Sequence, residues 1–232
     1  MPSWEIHLAI ANDLMKKIVV EPNCFLIGNL IPDAERYVIK DFSIFVPYRI
    51  SHYAEKQQVG NGWETLPNVE KFFEYHEKDK KNCMLLGYAS HLLADYYWNK
   101  LTAERYTIRD EDGNCIGILK NDGSRIQGSK EDRAFMKRED FDIFNQNLVK
   151  HKKMSLPEID EKVMEELKII KEVPFVKEDI EKIMMYLKNN REKLFHSNET
   201  KEYQLYSKEQ IEEDYQNCLQ YILESLKKYT SS

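Results

Sequence analysis

Cysteine is scarce in this sequence. Cys24, Cys83, Cys115 and Cys218 stand far apart and form no CxxC pair, which removes the usual pattern of zinc ribbons and thioredoxin-type redox sites. They read as reduced, mostly buried thiols. Long apolar runs are also missing: no stretch reaches the roughly 18–20 residues that a membrane-spanning helix needs. The opening MPSWEIHLAIANDLMKK has neither a basic start nor a cleavable apolar run, so a cytoplasmic protein is expected. Nor is there an excess of positive charge. Lys and Arg total 34 against 40 Asp and Glu, a net charge of -6, and bulk attraction to nucleic acid is disfavoured. There is no internal repeat and no low-complexity segment.

What is present is helical periodicity along most of the chain. Residues 3–19 are expected to form a helix with Ser3 as N-cap, carrying His7, Ile10, Ala11, Leu14 and Ile18 on one face. The segment 24–34 is apolar and expected to stop at Pro32, with Asp33 directly after it. Residues 46–57 place His52 early in another helical piece. Further helices are expected over 66–76, 79–101, 132–151, from Ser155-Leu-Pro-Glu158 to near Val173-Pro174, from Lys177 to about Asn190, and from Ser207 to about Tyr229. The last carries Ile211, Tyr215, Cys218, Leu219, Ile222 and Leu226 on one face. Alternation around Asp112-Gly113 predicts a β-hairpin within 106–123, followed by a loop over 121–132. The charge runs 77–81 and 137–142 read as solvated helix faces.

The expected fold class is thus all-α: one helical domain over 1–232 with a small inserted β-hairpin. Residues 1–104 hold the chemistry, 105–130 form the hairpin and loop insertion, and 131–232 form C-terminal amphipathic helices.

The chemistry concentrates in GYASHLLADYYWNK, residues 87–100. His91 and Asp95 stand at i and i+4 on one apolar helix face, their Cβ atoms roughly 5–6 Å apart. A buried carboxylate without a partner is costly; a direct His–Asp hydrogen bond would satisfy both groups, and so would a cation. His7, Asp33 and His52 also sit in apolar surroundings, whereas His76, His151 and His196 read as surface or helix-end residues. Nitrogen and oxygen donors without cysteine suit Zn²⁺, Mn²⁺ or Fe²⁺, and two ions sharing a carboxylate would lower the pKa of a water between them. Arg36 and Arg49 are candidates to meet a phosphate, and Tyr37, Tyr53, Tyr96 and Trp98 to wall a pocket, although surface arginines and core aromatics are the commoner outcomes. The acidic stretch 110–114 lacks the downstream glutamate of a calcium loop and reads as a turn.

In order along the chain, Trp4-x-x-His7, Gly28 to Pro32-Asp33, Ser51-His52-Tyr53 and Gly87-x3-His91-x3-Asp95 together resemble the zinc-dependent phospholipase C family, which is related to fungal single-strand-specific nucleases. The resemblance covers about residues 3–101 and implies an all-helical fold of the phospholipase C/nuclease type. It implies that Asp33, His52, His91 and Asp95 hold one zinc, and that His7 serves a second ion with Asp95 as bridge. It gives catalytic roles to Asp33 and Asp95, with Asp33 as general base or as the group orienting an activated water.

The departures are specific. Trp4 is internal and has no free amine to offer a metal. Leu101 stands where the family has a further histidine, and no His-x3-Glu follows. One or two ions are therefore expected, not three. The expected function is metal-dependent hydrolysis of a phosphoester, phosphodiesterase-like, on a small-molecule or lipid-headgroup substrate. Two alternatives stand beside it: a non-catalytic binding module with a structural metal, and an HD-type phosphohydrolase. Against the latter, no adjacent His-Asp pair occurs in the chain.

Overall fold

The computed structural model describes residues 2–34, 46–152, 154–172, 177–197 and 201–230. Helix α1 spans Trp4–Leu14, with the Ser3 hydroxyl accepting the Ile6 N–H as its N-cap. It is buried nearly all round and stops earlier than the expected residue 19, because Lys16 and Lys17 turn into solvent and the chain leaves the core there. Helix α2, Pro22–Gly28, begins with proline in its first turn and with the Glu21 carboxylate accepting from the N–H groups of Asn23 and Cys24. A first-turn proline loses no helical hydrogen bond. The same logic applies to Pro32, which does not end the segment but lies inside a 3-10 turn, Ile31–Asp33.

Helix α3 is one turn, Tyr48–Ser51. The expected continuation of helix to residue 57 is wrong: β1 (Glu55–Val59) and β2 (Gly62–Leu66) form a hairpin with Val59 opposite Gly62. Its two-residue turn holds Gly60 at φ +60°, a backbone region that favours glycine. Helix α4, Val69–Tyr75, leads to α5, Cys83–Tyr106, capped by the Asn82 carboxamide. At 24 residues α5 is about 36 Å long, and α1, α2, α4 and the last helix all pack on it.

The expected hairpin around Asp112-Gly113 is present as β3 (Thr107–Arg109) and β4 (Cys115–Leu119). A third strand, β5 (Arg125–Ile126), pairs within the stretch expected as loop. Helix α6, Lys130–His151, starts at a Ser129–Asp132 capping box. Helix α7 is only Glu161–Leu167, N-capped by Asp160, so Ser155-Leu156-Pro157-Glu158 does not open a helix. Val173-Pro174 lies outside the described residues. Helices α8 (Lys177–His196) and α9 (Lys208–Thr230) follow. On α9 the expected apolar face is buried: Ile211, Tyr215, Cys218, Leu219, Ile222 and Leu226 all face inward. The fold is therefore all-α with small β insertions. One contiguous apolar core runs from Trp4 to Leu226.

Two glycines set the closest helix contact. A Cβ on Gly28 would lie 2.1 Å from the Met84 carbonyl oxygen, and one on Gly87 would lie 2.1 Å from the Phe25 carbonyl oxygen. Only glycine lets the backbones of α2 and α5 approach this closely. That contact fixes the chain just after α2, and Asn29 with it, against the N-terminal third of α5.

Candidate metal centre

Five side chains from four parts of the chain converge beside that helix contact, and all are fully buried: His7, Asp33, His52, His91 and Asp95. His7 comes from the middle of α1, Asp33 from the 3-10 turn after α2, and His52 from the residue that caps α3. His91 and Asp95 come from successive turns of α5. His52 therefore follows the last residue of a helix, where it was expected to lie at the entry to one or early in it.

Each orienting contact has a local cause. The Nδ1–H of His91 donates to the Asn29 carbonyl oxygen at 2.8 Å, the contact that the Gly28–Gly87 approach permits. With Nδ1 carrying the proton, the neutral ring turns a lone pair at Nε2 inward, the usual preparation of a metal-binding imidazole. The His52 Nδ1 lies 2.9 Å from the Ser51 hydroxyl. Ser51 is held in turn by the Tyr88 hydroxyl, which donates to its carbonyl oxygen. The His7 and His91 rings stack, with centroids 3.7 Å apart and planes within 10°.

The inward atoms are close, and the Nε2 atoms of His52 and His91 meet at hydrogen-bonding distance. His52 Nε2 lies 3.4 Å from Asp33 Oδ1, 3.4 Å from Asp95 Oδ2 and 3.3 Å from His91 Nε2. His91 Nε2 lies 3.8 Å from Asp33 Oδ2, and His7 Nε2 lies 3.5 Å from Asp95 Oδ1. Both ring nitrogens of His7 and both carboxylate oxygens of Asp95 lack a hydrogen-bonding partner among the described residues. These spacings exceed a normal N–H···O bond of 2.7–3.2 Å. Ligands about 2.0–2.1 Å from a tetrahedral zinc are spaced about 3.3–3.4 Å from one another. The donor set and its spacing fit a zinc ion better than direct pairing. Two overlapping groups of candidate ligands share His91: His7, His91 and Asp95, and Asp33, His52 and His91.

The charge balance agrees. Burial, reinforced by the neighbouring His7, pushes His91 down to about 3, so it is neutral at pH 7. Burial alone would raise both carboxyls. For Asp33 the His52 contact and the charges of His91 and His52 outweigh it; for Asp95 the His7 contact and the histidine charges do so. Both carboxyls end below the ordinary range. Two ionised carboxylates in an apolar interior call for a cation.

The other sequence candidates fall elsewhere. Arg36 and Tyr37 lie outside the described residues. Arg49 is exposed and lines a separate surface cavity with Tyr53, Lys71, Tyr75 and Lys171. Tyr96 is half-buried against Tyr221, and Trp98 packs in the core between Phe141 and Tyr206. The indole N–H of the buried Trp4 donates to the Leu30 carbonyl oxygen at 3.1 Å, bracing the turn that carries Asp33. His151 and His196 are exposed as expected. His76 is not: it is buried, with Nε2 2.7 Å from Glu172 Oε1. The run 137–142 is not a solvated face either, since Lys137, Asp140 and Phe141 are buried. The Asp140 carboxylate accepts from the backbone N–H groups of Gln204, Leu205 and Tyr206. The sequence reading missed Asn29, whose backbone orients His91, and Tyr48, whose ring lies 4.2 Å from that of His52. Tyr48 left a usable signal, four residues before His52 beside Pro47; the role of Asn29 lies in its carbonyl and leaves none.

No described helix is long and apolar enough to cross a membrane. No curated protein and no solved structure matches the chain. Residues 6–106 match the family model described as zinc dependent phospholipase C. Across that segment, which carries all five converging side chains and ends with α5, the chain resembles the zinc-dependent phospholipase C family.

Proposed function

We propose that the protein is a metal-dependent phosphoester hydrolase that takes zinc at this centre and acts on phosphodiesters in the manner of a phospholipase C. The observation that carries the reading is the spacing of the buried imidazole nitrogens and carboxylate oxygens, 3.4–3.8 Å, longer than a normal hydrogen bond and close to the separation of ligands around one ion. The family match over residues 6–106 supports it. In this reading Asp33, His52, His91 and Asp95 hold one ion, and His7 contributes to a second through Asp95.

Bound ions would supply Lewis acidity, lowering the pKa of a water and offsetting negative charge on the phosphoryl oxygens. The chain's own residues do the rest. Asn29 and Ser51 fix the two imidazoles, so that little reorganisation is needed when substrate arrives. Asp33, ionised at neutral pH, is the acceptor for the proton of the attacking water. Asp95 turns one oxygen to each side of the centre.

A second reading has its own support. All five side chains are shut away from solvent, which also suits a structural ion in a non-catalytic binding module. One experiment decides between them: elemental analysis of the purified protein, with turnover of bis-p-nitrophenyl phosphate measured in parallel. Bound zinc with turnover that is lost on chelation and restored by zinc supports hydrolysis. Tightly held zinc with no turnover across phosphomonoesters and phosphodiesters supports the structural reading, and no bound metal defeats both.

A further inference from the structure

Lys137 lies on α6, outside the segment that matches the family. Its side chain is buried, yet no carboxylate lies within ion-pair distance of it among the described residues. Its Nζ donates to the Asn99 Oδ1, a neutral acceptor. The nearby carboxylate, Glu64, is already taken: Arg109 reaches it at 2.6 Å and Arg133 at 3.2 Å. A buried ammonium without a carboxylate partner is unfavourable, and an anion would complete it. Lysine offers three donors, and Asn99 accepts from one of them.

The surroundings show where that anion would lie. Lys137, Asn99, Thr102 and Tyr48 line one cavity of about 290 Å³. Two links tie this cavity to the metal centre. Tyr48 is the residue whose ring lies against His52. Asn99 stands one turn beyond Asp95 on the same face of α5. Tyr48 therefore lines the cavity on one side and contacts His52 on the other.

We propose that Lys137 is a substrate-binding residue whose ammonium receives a non-bridging oxygen of an anionic phosphoryl group lying in this cavity beside the metal centre. The inference rests on the hydrolase reading and sharpens it. The cavity selects esters that carry negative charge at phosphorus over neutral carboxylic esters, through a cation that the family-like segment does not supply.

The test uses the zinc-loaded full chain and inorganic phosphate as the probe. Binding is measured by titration calorimetry and zinc by elemental analysis, for the wild type, Lys137→Met, Lys137→Arg and the exposed control Lys188→Met. The loss of one charge-assisted contact should weaken phosphate binding about tenfold or more in Lys137→Met, with zinc content unchanged. Lys137→Arg and the control should stay within about threefold of the wild type. Should Lys137→Met be unfolded by circular dichroism, Lys137→Gln takes its place with the same expectations. Equal phosphate affinity at equal zinc content overturns the proposal, and so does a loss of zinc in step with the loss of phosphate. Wild-type protein that takes up no zinc sinks the hydrolase reading itself. Wild-type protein that holds zinc and turns over esters, while the methionine variant binds phosphate normally, sinks only the role of Lys137.

Discussion

Asp95 turns its two carboxylate oxygens toward different histidines: Oδ1 lies 3.5 Å from Nε2 of His7, and Oδ2 lies 3.4 Å from Nε2 of His52. It stands between His7 and His52, and α5 carries it one turn after His91, the residue that the two candidate ligand groups share. Replacing Asp95 with Ala should therefore lower zinc content by more than half, whereas His151→Ala, on the exposed end of α6, should leave it unchanged. Elemental analysis of both purified variants checks this; equal zinc in the two would remove Asp95 from the centre.

The helix contact that orients His91 predicts a second effect. A methyl group at residue 87 meets the Phe25 backbone carbonyl at 2.1 Å, and backbone cannot move aside as a flexible side chain can. Overpacking of this kind costs roughly 1–3 kcal/mol, occasionally more. Gly87→Ala should fall in that range by urea unfolding. It should also lose zinc affinity, because separating α2 from α5 pulls the Asn29 carbonyl away from His91. A variant that is destabilised yet binds zinc with wild-type affinity would show that this orienting contact is dispensable.

These two cases also show what the sequence could reveal. His7, Asp33, His52, His91 and Asp95 were legible because polar, metal-ligating residues stood in apolar surroundings, where each needs a reason to be present. The close approach at Gly28 and Gly87 left only the glycines as a trace; which backbone they admit is a property of the packed pair. His76 was misread because its neighbours in sequence are polar, while its burial and its Glu172 partner come from 96 residues away. The β1–β2 hairpin was missed because Glu55-Lys56-Gln57-Gln58 has no apolar alternation, and only the Gly60-Asn61 turn marked it. Lys137 was lost in a charge run for the same reason as His76. Local patterning reports the face an element would present alone, and distant contacts decide what then covers it.

Glu64 predicts the acid side of the stability profile. It joins β2 to Arg109 and Arg133, and although burial raises its carboxyl, the Arg133 charge and the arginine hydrogen bonds bring it below the ordinary value of 4.5. A carboxylate with a lowered folded pKa stabilises the protein above its unfolded value, and that contribution disappears as pH falls through the folded value. Glu64→Gln should therefore cost roughly 2–4 kcal/mol near pH 7, as expected for breaking a largely buried ion pair. The gap between variant and wild type should close as pH drops from about 5 toward 3. Urea unfolding at several pH values measures it; a gap that is constant with pH would mean that the charge of Glu64 contributes nothing.

Lys137 predicts the opposite sign. Burial pushes its ammonium down to about 8 from an ordinary 10.5, so the folded chain holds this proton less tightly than the unfolded chain does. Between those two values the unfolded state binds more protons, and stability should rise with pH. Below about pH 8 the full penalty for the buried charge is present. Lys137→Met removes that charge with little change in volume, and should stabilise the protein at pH 7 by a few kcal/mol at most, on the order expected for replacing a buried charge with an apolar side chain. The gain should shrink as pH rises toward 10. A lysine kept for structure would show the reverse, since its removal would lower the unfolding midpoint. Thermal unfolding of the wild type and Lys137→Met at pH 7 and pH 10 separates the two: stabilisation at neutral pH together with weakened phosphate binding identifies a residue retained for its ligand, and destabilisation at both pH values identifies one retained for the fold.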